Sequence, residues 1–246
     1  MLSKAQIKYI RSLSLQKYRK EHRQFVAEGE KVAGEWLQSK APVVQIIATR
    51  QWMEEHTHLL ALHDEATLHV VEEAVLSSIS SLKTANKVLL VVPMPHEAET
   101  LPYDEWTIAL DGIQDPGNMG AIIRIADWFG IRNVVCSPDC VDVYNPKVIQ
   151  AAMGSHLRVA TFEADLTEYV SALKIPLVAA VLNGDDIYGT RPFERAVLLI
   201  GNEGNGISPH LIEKAEQKVT IPAKGGAESL NAAVSTGILA ALLVPH

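Results

Sequence analysis

Two periods of apolar and polar residues alternate along this chain, and the elements they predict alternate with them. Ile7 and Ile10 mark the inner face of a helix over 3–13, while Lys4, Lys8 and Arg11 recur at i, i+4 and i+7 on another face. Short apolar runs then predict strands at 25–27, 43–48, 67–71 and 87–92, with helical patterns at 30–38, 51–62 and 72–79 between them. Pro93, Pro95 and Pro102, set among acidic residues, interrupt the pattern and predict a stiff linker over 94–103. Beyond it strands are expected near 106–111, 133–136, 157–161, 177–182, 196–200 and 218–221. Helices near 121–129, 146–153, 166–173, 209–216 and 229–243 fill the gaps. The expected fold is α/β in two domains, 1–93 and 104–246, the second built on a mostly parallel sheet covered on both faces.

The most informative stretch is 110–130, L-D-G-I-Q-D-P-G-N-M-G-A-I-I-R-I-A-D-W-F-G. An apolar strand runs into Asp115-Pro116-Gly117, whose fixed φ and permissive glycine read as a turn. Asn118 then stands where a helix begins, Gly120 permits close backbone approach, and Gly130 reads as the C′ glycine that ends the helix. The helix is apolar on nearly every side, so it is expected to be buried. Arg124 does not fit a buried helix, because a guanidinium keeps its charge. An intrahelical pair with Asp127 or snorkelling to the surface would accommodate it; with Asn118 and Gly120 upstream, an anion site is the stronger reading.

Composition narrows the class. A hydrophobic content of 48% and a charged content of 21% describe an ordinary globular protein. The opening M-L-S-K-A-Q-I-K lacks the apolar core of a signal peptide, and the run 238–244 is far short of a membrane span. Cys136 and Cys140 make no disulfide framework, and C-x₃-C alone is weak evidence of a metal, which points to a reducing cytoplasm. His56, His58 and His63 match no common ligand spacing and are assigned no function. The net charge of −7 argues against a generic nucleic-acid binder, yet residues 1–24 hold seven Lys or Arg against Glu21 alone. Lys17-Tyr18-Arg19-Lys20 adds an aromatic to that basic cluster, so Lys4, Lys8, Arg11, Lys17, Arg19 and Lys20 are candidate RNA contacts.

Three loops at the carboxyl ends of second-domain strands carry the unusual residues, where ligands of such sheets sit. The first is the stretch above. The second follows Ile200 as Gly201-Asn202-Glu203-Gly204-Asn205-Gly206, and the third runs from Pro222 through Ser229-Leu230-Asn231. G-N-E-G-N-G is neither the dinucleotide fingerprint G-x-G-x-x-G nor a P-loop. A nucleotide-binding Rossmann domain is therefore disfavoured.

The motifs N-x-G-a-i-x-R in 118–124, G-N-E-x-x-G in 201–206 and I-P-x₆-S-L-N in 221–231 resemble the three motifs of the SpoU (TrmH-like) RNA ribose 2′-O-methyltransferases. In the first domain, R-S-L-x₃-K-Y-R followed by F-V-A-E-G-E-K-V resembles the entry to the family's L30e-like substrate-binding domain. Ala223 and Ala232 depart from the methionine and valine often found there. The resemblance implies a SPOUT domain with a C-terminal trefoil knot, bound S-adenosylmethionine, a homodimer and no metal. It puts Asn118, Arg124, Glu203, Ser229 and Asn231 on active-site positions, and Ile200, Gly201, Asn202, Gly206, Ile221 and Leu230 on cofactor-binding segments. Arg124 has been cast as the base of this family, but a group with a pKa above ~12 suits better an anchor for RNA phosphate and a stabiliser of developing alkoxide. The expected activity is S-adenosylmethionine-dependent 2′-O-methylation of RNA in the cytoplasm, with ribosomal RNA favoured over tRNA. A catalytically idle RNA-binding or ribosome-assembly protein on the same fold is the competing reading.

Overall fold

A computed structural model describes residues 2–63, 66–82, 86–95, 100–202 and 204–245. The chain forms two compact units, residues 1–96 with 142–157, and residues 97–141 with 158–246. Residues 142–157, expected in the second domain, thus pack with the first unit.

The first unit contains α1 (Lys4–Ser12), α2 (Gln16–His22), β1 (Gln24–Glu28), α3 (Glu30–Ser39), β2 (Gln45–Ala48), α4 (Arg50–Glu55), α5 (Thr57–Leu60), β3 (Thr67–Val70), α6 (Glu73–Ile79) and β4 (Val88–Pro93). Its sheet has the order β1-β4-β2-β3, with only β2 and β3 parallel. Both faces are covered, which is why these strands read as continuous apolar runs. Phe25, Ala27, Ile46, Leu90 and Val92 meet Trp36, Leu37 and Trp52 on one face, while Val26, Ile47, Leu89 and Val91 meet Ile10, Leu13, Leu76 and Ile79 on the other. Ile149, from the later segment, belongs to the first of these cores. A capping box starts α1, with Ser3 Oγ accepting from Gln6 N–H and Gln6 Oε1 accepting from Ser3 N–H. The single helix expected over 51–62 is instead broken at His56, which leaves the helical region (φ −121°, ψ 27°) and whose ring Nδ1 bonds Trp52 O.

The second unit contains β5 (Thr107–Asp111), α7 (Pro116–Trp128) and β6 (Asn133–Cys136); α8 (Pro146–Ala152) then lies in the first unit. The chain returns with β7 (Ala160–Glu163), α9 (Leu166–Ser171), β8 (Leu177–Asp186), β9 (Val197–Gly201), α10 (Pro209–Ile212), β10 (Gln217–Thr220) and α11 (Ala232–Leu243). All six strands are parallel, in the order β10-β8-β9-β5-β6-β7. The chain runs outward from β5 through β6 to β7, crosses to β8, and then inserts β9 beside β5. The carboxyl ends of β5 and β9 therefore meet at a switch point of the sheet, where such folds bind ligands. After β10 at the edge, α11 comes back to pack against α7 and β9.

Candidate active site

The loop after β5 leads directly into α7. Gly112 adopts φ +69°, Ile113 is buried, and Asp115 caps the helix by accepting the Asn118 N–H at 2.8 Å. Pro116 occupies the first turn, so α7 begins five residues before the expected 121. The supposed turn at 115–117 is its N-terminus. Gly130, at φ +71°, ends the helix as expected.

The helix is not buried on every side. Met119, Ile122, Ile123 and Ala126 face inward, while Arg124 and Trp128, one turn apart, are exposed. Arg124 therefore carries no desolvation penalty demanding a partner. Asp127 receives a two-pronged bond from Arg158, at 2.8–3.0 Å. Among the described residues, nothing hydrogen-bonds the exposed Arg124 guanidinium.

The glycine-rich loop after β9 folds back on itself. Asn202 and Gly206 exchange backbone hydrogen bonds at 3.0 and 2.9 Å, and a Cβ on Gly201 would collide with Gly206 and Ile207. Asn202 Oδ1 accepts the N–H groups of Gly204 (2.8 Å) and Asn205 (3.1 Å), and its Nδ2 donates to Gly112 O (2.6 Å). Three of the hydrogen bonds open to the Asn202 side chain are thus made within the protein. Ser208 N–H donates to Asp111 Oδ2 at 2.7 Å, tying the far end of the loop to the same strand. Ile200 is buried, so its side chain has no surface to offer a ligand. Glu203 lies outside the described residues.

The loop after β10 is exposed from Ala223 to Asn231, with Ile221 half-buried at its start. Asn231 caps the last helix, which starts at Ala232 rather than at the expected 229, its Oδ1 accepting from Ala233 N–H (3.0 Å) and Val234 N–H (3.2 Å). Its Nδ2 donates to Asn118 Oδ1 at 2.7 Å. The structure therefore brings the first and third loops together through this amide pair, and the first and second through Asn202 and Gly112. Ser229 is exposed and bonds no other described residue.

One segment of this edge escaped the sequence reading. β8 pairs with β10 at Ala179–Lys218 and next at Asp185–Val219, so residues 180–184 loop out of register. Thr220 Oγ1 donates to Leu182 O at 3.0 Å, and a Cβ on Gly184 would lie 2.6 Å from Lys218 O. Asn183-Gly184 inside an apolar run was the available signal for such a bulge. Leu182 (67%), on β8, and Leu230 (48%), in the loop after β10, are large apolar side chains left exposed. A glycine-rich loop at the carboxyl end of β9, with exposed apolar side chains on β8 and after β10, suits a purine nucleoside carrying a sulfonium side chain, so the residues fit S-adenosylmethionine.

Cys136 and Cys140, after β6, are free thiols. A hydrogen bond from Cys136 is the main cause that lowers Cys140 to about 7, and the same bond, with burial, pushes Cys136 well up. Among the described residues, no cluster of His, Cys, Asp and Glu is arranged to hold a metal ion, and no helix is long and apolar enough to cross a membrane.

In the first unit, Lys4, Lys8, Arg11, Lys17 and Lys20 are exposed as an RNA contact requires. Arg19 is not. It is 1% exposed, pairs with Asp142 and donates to Leu13 O and Ser14 O at 2.8 Å, which removes it from the candidate RNA contacts.

Residues 105–241 match the SpoU rRNA Methylase family, and residues 4–90 match the MRM3-like substrate binding domain. A 23S rRNA guanosine 2′-O-methyltransferase of Bacillus subtilis is 31% identical over 238 residues, covering 95% of this chain and 93% of that one. A TrmH-family protein from Porphyromonas gingivalis superposes with a TM-score of 0.86 at 36% identity, covering 99% and 98% of the two chains. An AdoMet-bound rRNA methyltransferase from Sinorhizobium meliloti does so at 0.84 and 29%, covering 98% and 94%. The chain belongs to the SpoU rRNA methylase family of S-adenosylmethionine-dependent RNA 2′-O-ribose methyltransferases, with an MRM3-like substrate-binding domain ahead of the methylase domain.

Proposed function

We propose that this protein methylates the 2′-hydroxyl of one nucleotide in ribosomal RNA in the cytoplasm, and that Asn118, Arg124, Glu203, Ser229 and Asn231 form its reaction centre. The Asn231–Asn118 hydrogen bond carries the reading, because it joins two of the three motif loops at the switch point of the sheet. S-adenosylmethionine supplies an electrophilic methyl group. Gly201, the backbone of the loop it opens, Leu182, Ile221 and Leu230 hold it, within a trefoil knot of the kind the family resemblance implies. Asn118 and Asn231 orient the ribose with Ser229, and Glu203 steadies Arg124 or Asn118. Arg124 grips the flanking phosphate and stabilises the alkoxide as the hydroxyl loses its proton. The exposed lysines of α1 and α2, with Arg11, draw the RNA in.

The protein works as a homodimer in this reading. Trp128 on α7 (84% exposed) and Val234 on α11 (50%) belong to packed helices with an apolar surface left uncovered. A monomer mass by light scattering at micromolar concentration counts against it.

Mapping 2′-O-methyl groups in rRNA and tRNA from wild-type and deletion strains tests the activity. Loss of one methyl in rRNA is expected. Loss in tRNA alone overturns the substrate, and no loss returns the protein to an idle RNA-binding role.

A further inference from the structure

We infer that Asn202 is a positioning residue, whose side-chain amide locks the exit of β5, and with it the start of α7, to the glycine-rich loop after β9. The inference deepens the methyl-transfer reading and rests on it.

The two ends of the amide do different things. Oδ1 closes the loop on itself by accepting from Gly204 N–H and Asn205 N–H, which fills its acceptor capacity. Nδ2 reaches a residue 90 positions earlier, donating to Gly112 O at 2.6 Å. Gly112 is held from the opposite side as well, since its N–H donates to Ser137 Oγ at 2.9 Å and Ser137 in turn donates to Asp139. Its positive φ lets the carbonyl and the N–H reach these two partners, and a Cβ would stand 3.0 Å from Asp139 Oδ2. The bond from Ser208 N–H to Asp111 secures the other end of the loop.

Three residues beyond Gly112, Asp115 caps the helix that carries Asn118 and Arg124. The cofactor loop and the substrate-facing helix thus share one fixed point. In-line transfer depends steeply on alignment, and a displacement of ~1 Å can cost ~100-fold in rate. Cutting the Nδ2 bond while sparing Oδ1 should therefore misalign the two substrates without opening the cofactor loop.

Asn202→Asp makes that cut in the full-length protein. A carboxylate still accepts from Gly204 and Asn205, but it has no hydrogen to give Gly112 O and repels it. The expected result is a calorimetric Kd for S-adenosylmethionine within about 3-fold of wild type and a single-turnover rate on rRNA from a deletion strain at least ~10-fold lower. Asn202→Ala loses both ends and should weaken both quantities. In Asn202→Asp the Gly112 amide should exchange at least ~10-fold faster while Gly204 is unchanged. A wild-type rate in Asn202→Asp, or a loss of cofactor affinity matching Asn202→Ala, overturns the inference. Should Asn202→Asp fail to fold, Ser137→Ala loosens Gly112 from the other side and must show the same split, an unchanged rate again overturning it. A wild-type protein that neither binds S-adenosylmethionine nor methylates RNA sinks the proposed function instead, and the exchange at Gly112 then decides the clamp separately.

Discussion

Asn231 Nδ2 donates to Asn118 Oδ1 across 2.7 Å and 113 residues of chain. The same Asn231 caps α11 with its Oδ1, so the last helix cannot start without fixing which way that amide points. With its oxygen engaged by Asn231, Asn118 is constrained in the direction its own N–H groups take. One side chain thus couples a helix cap to the orientation of the Asn118 amide.

Asn231→Asp should separate these two jobs. Aspartate caps a helix as well as asparagine, so the melting temperature is expected to stay near wild type. It offers Asn118 Oδ1 no hydrogen, so the single-turnover rate should fall at least ~10-fold. Asn231→Ala should also lose the cap, at about 1 kcal/mol. A wild-type rate in Asn231→Asp would leave the amide pair a structural detail.

The three loops were legible because glycines and polar residues interrupt apolar strands, and alternation is enough to order those strands. Local signals that serve two purposes misled. Asp-Pro-Gly is turn chemistry, but Asp followed by Pro also opens a helix, and at 115–116 the helix prevails. The last helix was expected from 229, yet it starts at Ala232, where Asn231 Oδ1 takes the Ala233 and Val234 N–H groups. Arg19 sits among exposed charges, and the partner that buries it, Asp142, is 123 residues away. No window of sequence contains that pair. The looped residues 180–184 were hidden for a similar reason, since a register jump exists only relative to β10.

The basic helices therefore divide into two kinds of residue. Reversing Lys4, Lys8 and Arg11 to glutamate should weaken RNA binding, leave S-adenosylmethionine affinity unchanged and flatten the salt dependence of binding, because phosphate contacts release counterions. Arg19→Ala should act on stability instead. It takes the buried partner from Asp142, whose side chain is only 12% exposed, a loss of up to about 3–5 kcal/mol for such a pair. Filter binding and thermal melts distinguish the two outcomes, and RNA affinity unaltered in the triple variant means the stripe is only a solvated face.

Acid should loosen the first unit through His156. Its Nε2 bonds Val143 O at 2.9 Å, its buried Nδ1 has no partner among the described residues, and burial lowers its pKa from 6.5 to about 4. Between those values the unfolded chain takes up a proton that the folded chain refuses, so stability rises with pH through the window and is lost as pH falls from 6.5 towards 4. His69, also held low by burial, adds a slope of the same sign. Melting temperature should drop more steeply from pH 7 to about 5 in wild type than in His156→Gln, which does not titrate there. Parallel curves would clear His156 of the effect.

Arg124 is the sharpest test of the reaction centre, because the structure removes its structural alibi. It is exposed, and the aspartate one turn along is gripped by Arg158. Arg124→Ala should therefore fold and bind S-adenosylmethionine normally, yet transfer methyl at least ~100-fold more slowly, the usual cost of losing a preorganised donor to developing charge. Arg124→Lys keeps the charge without the planar fork and should recover only a small part of the rate. Asp127→Asn weakens a partly exposed pair with Arg158 and should cost less than about 1 kcal/mol while leaving turnover near wild type. Thermal melts with single-turnover rates on all three variants decide the matter. Should Arg124→Ala turn over normally, the phosphate anchor must be sought on another residue of this edge; should Asp127→Asn be as inactive as Arg124→Ala, the arginine serves the helix rather than the chemistry.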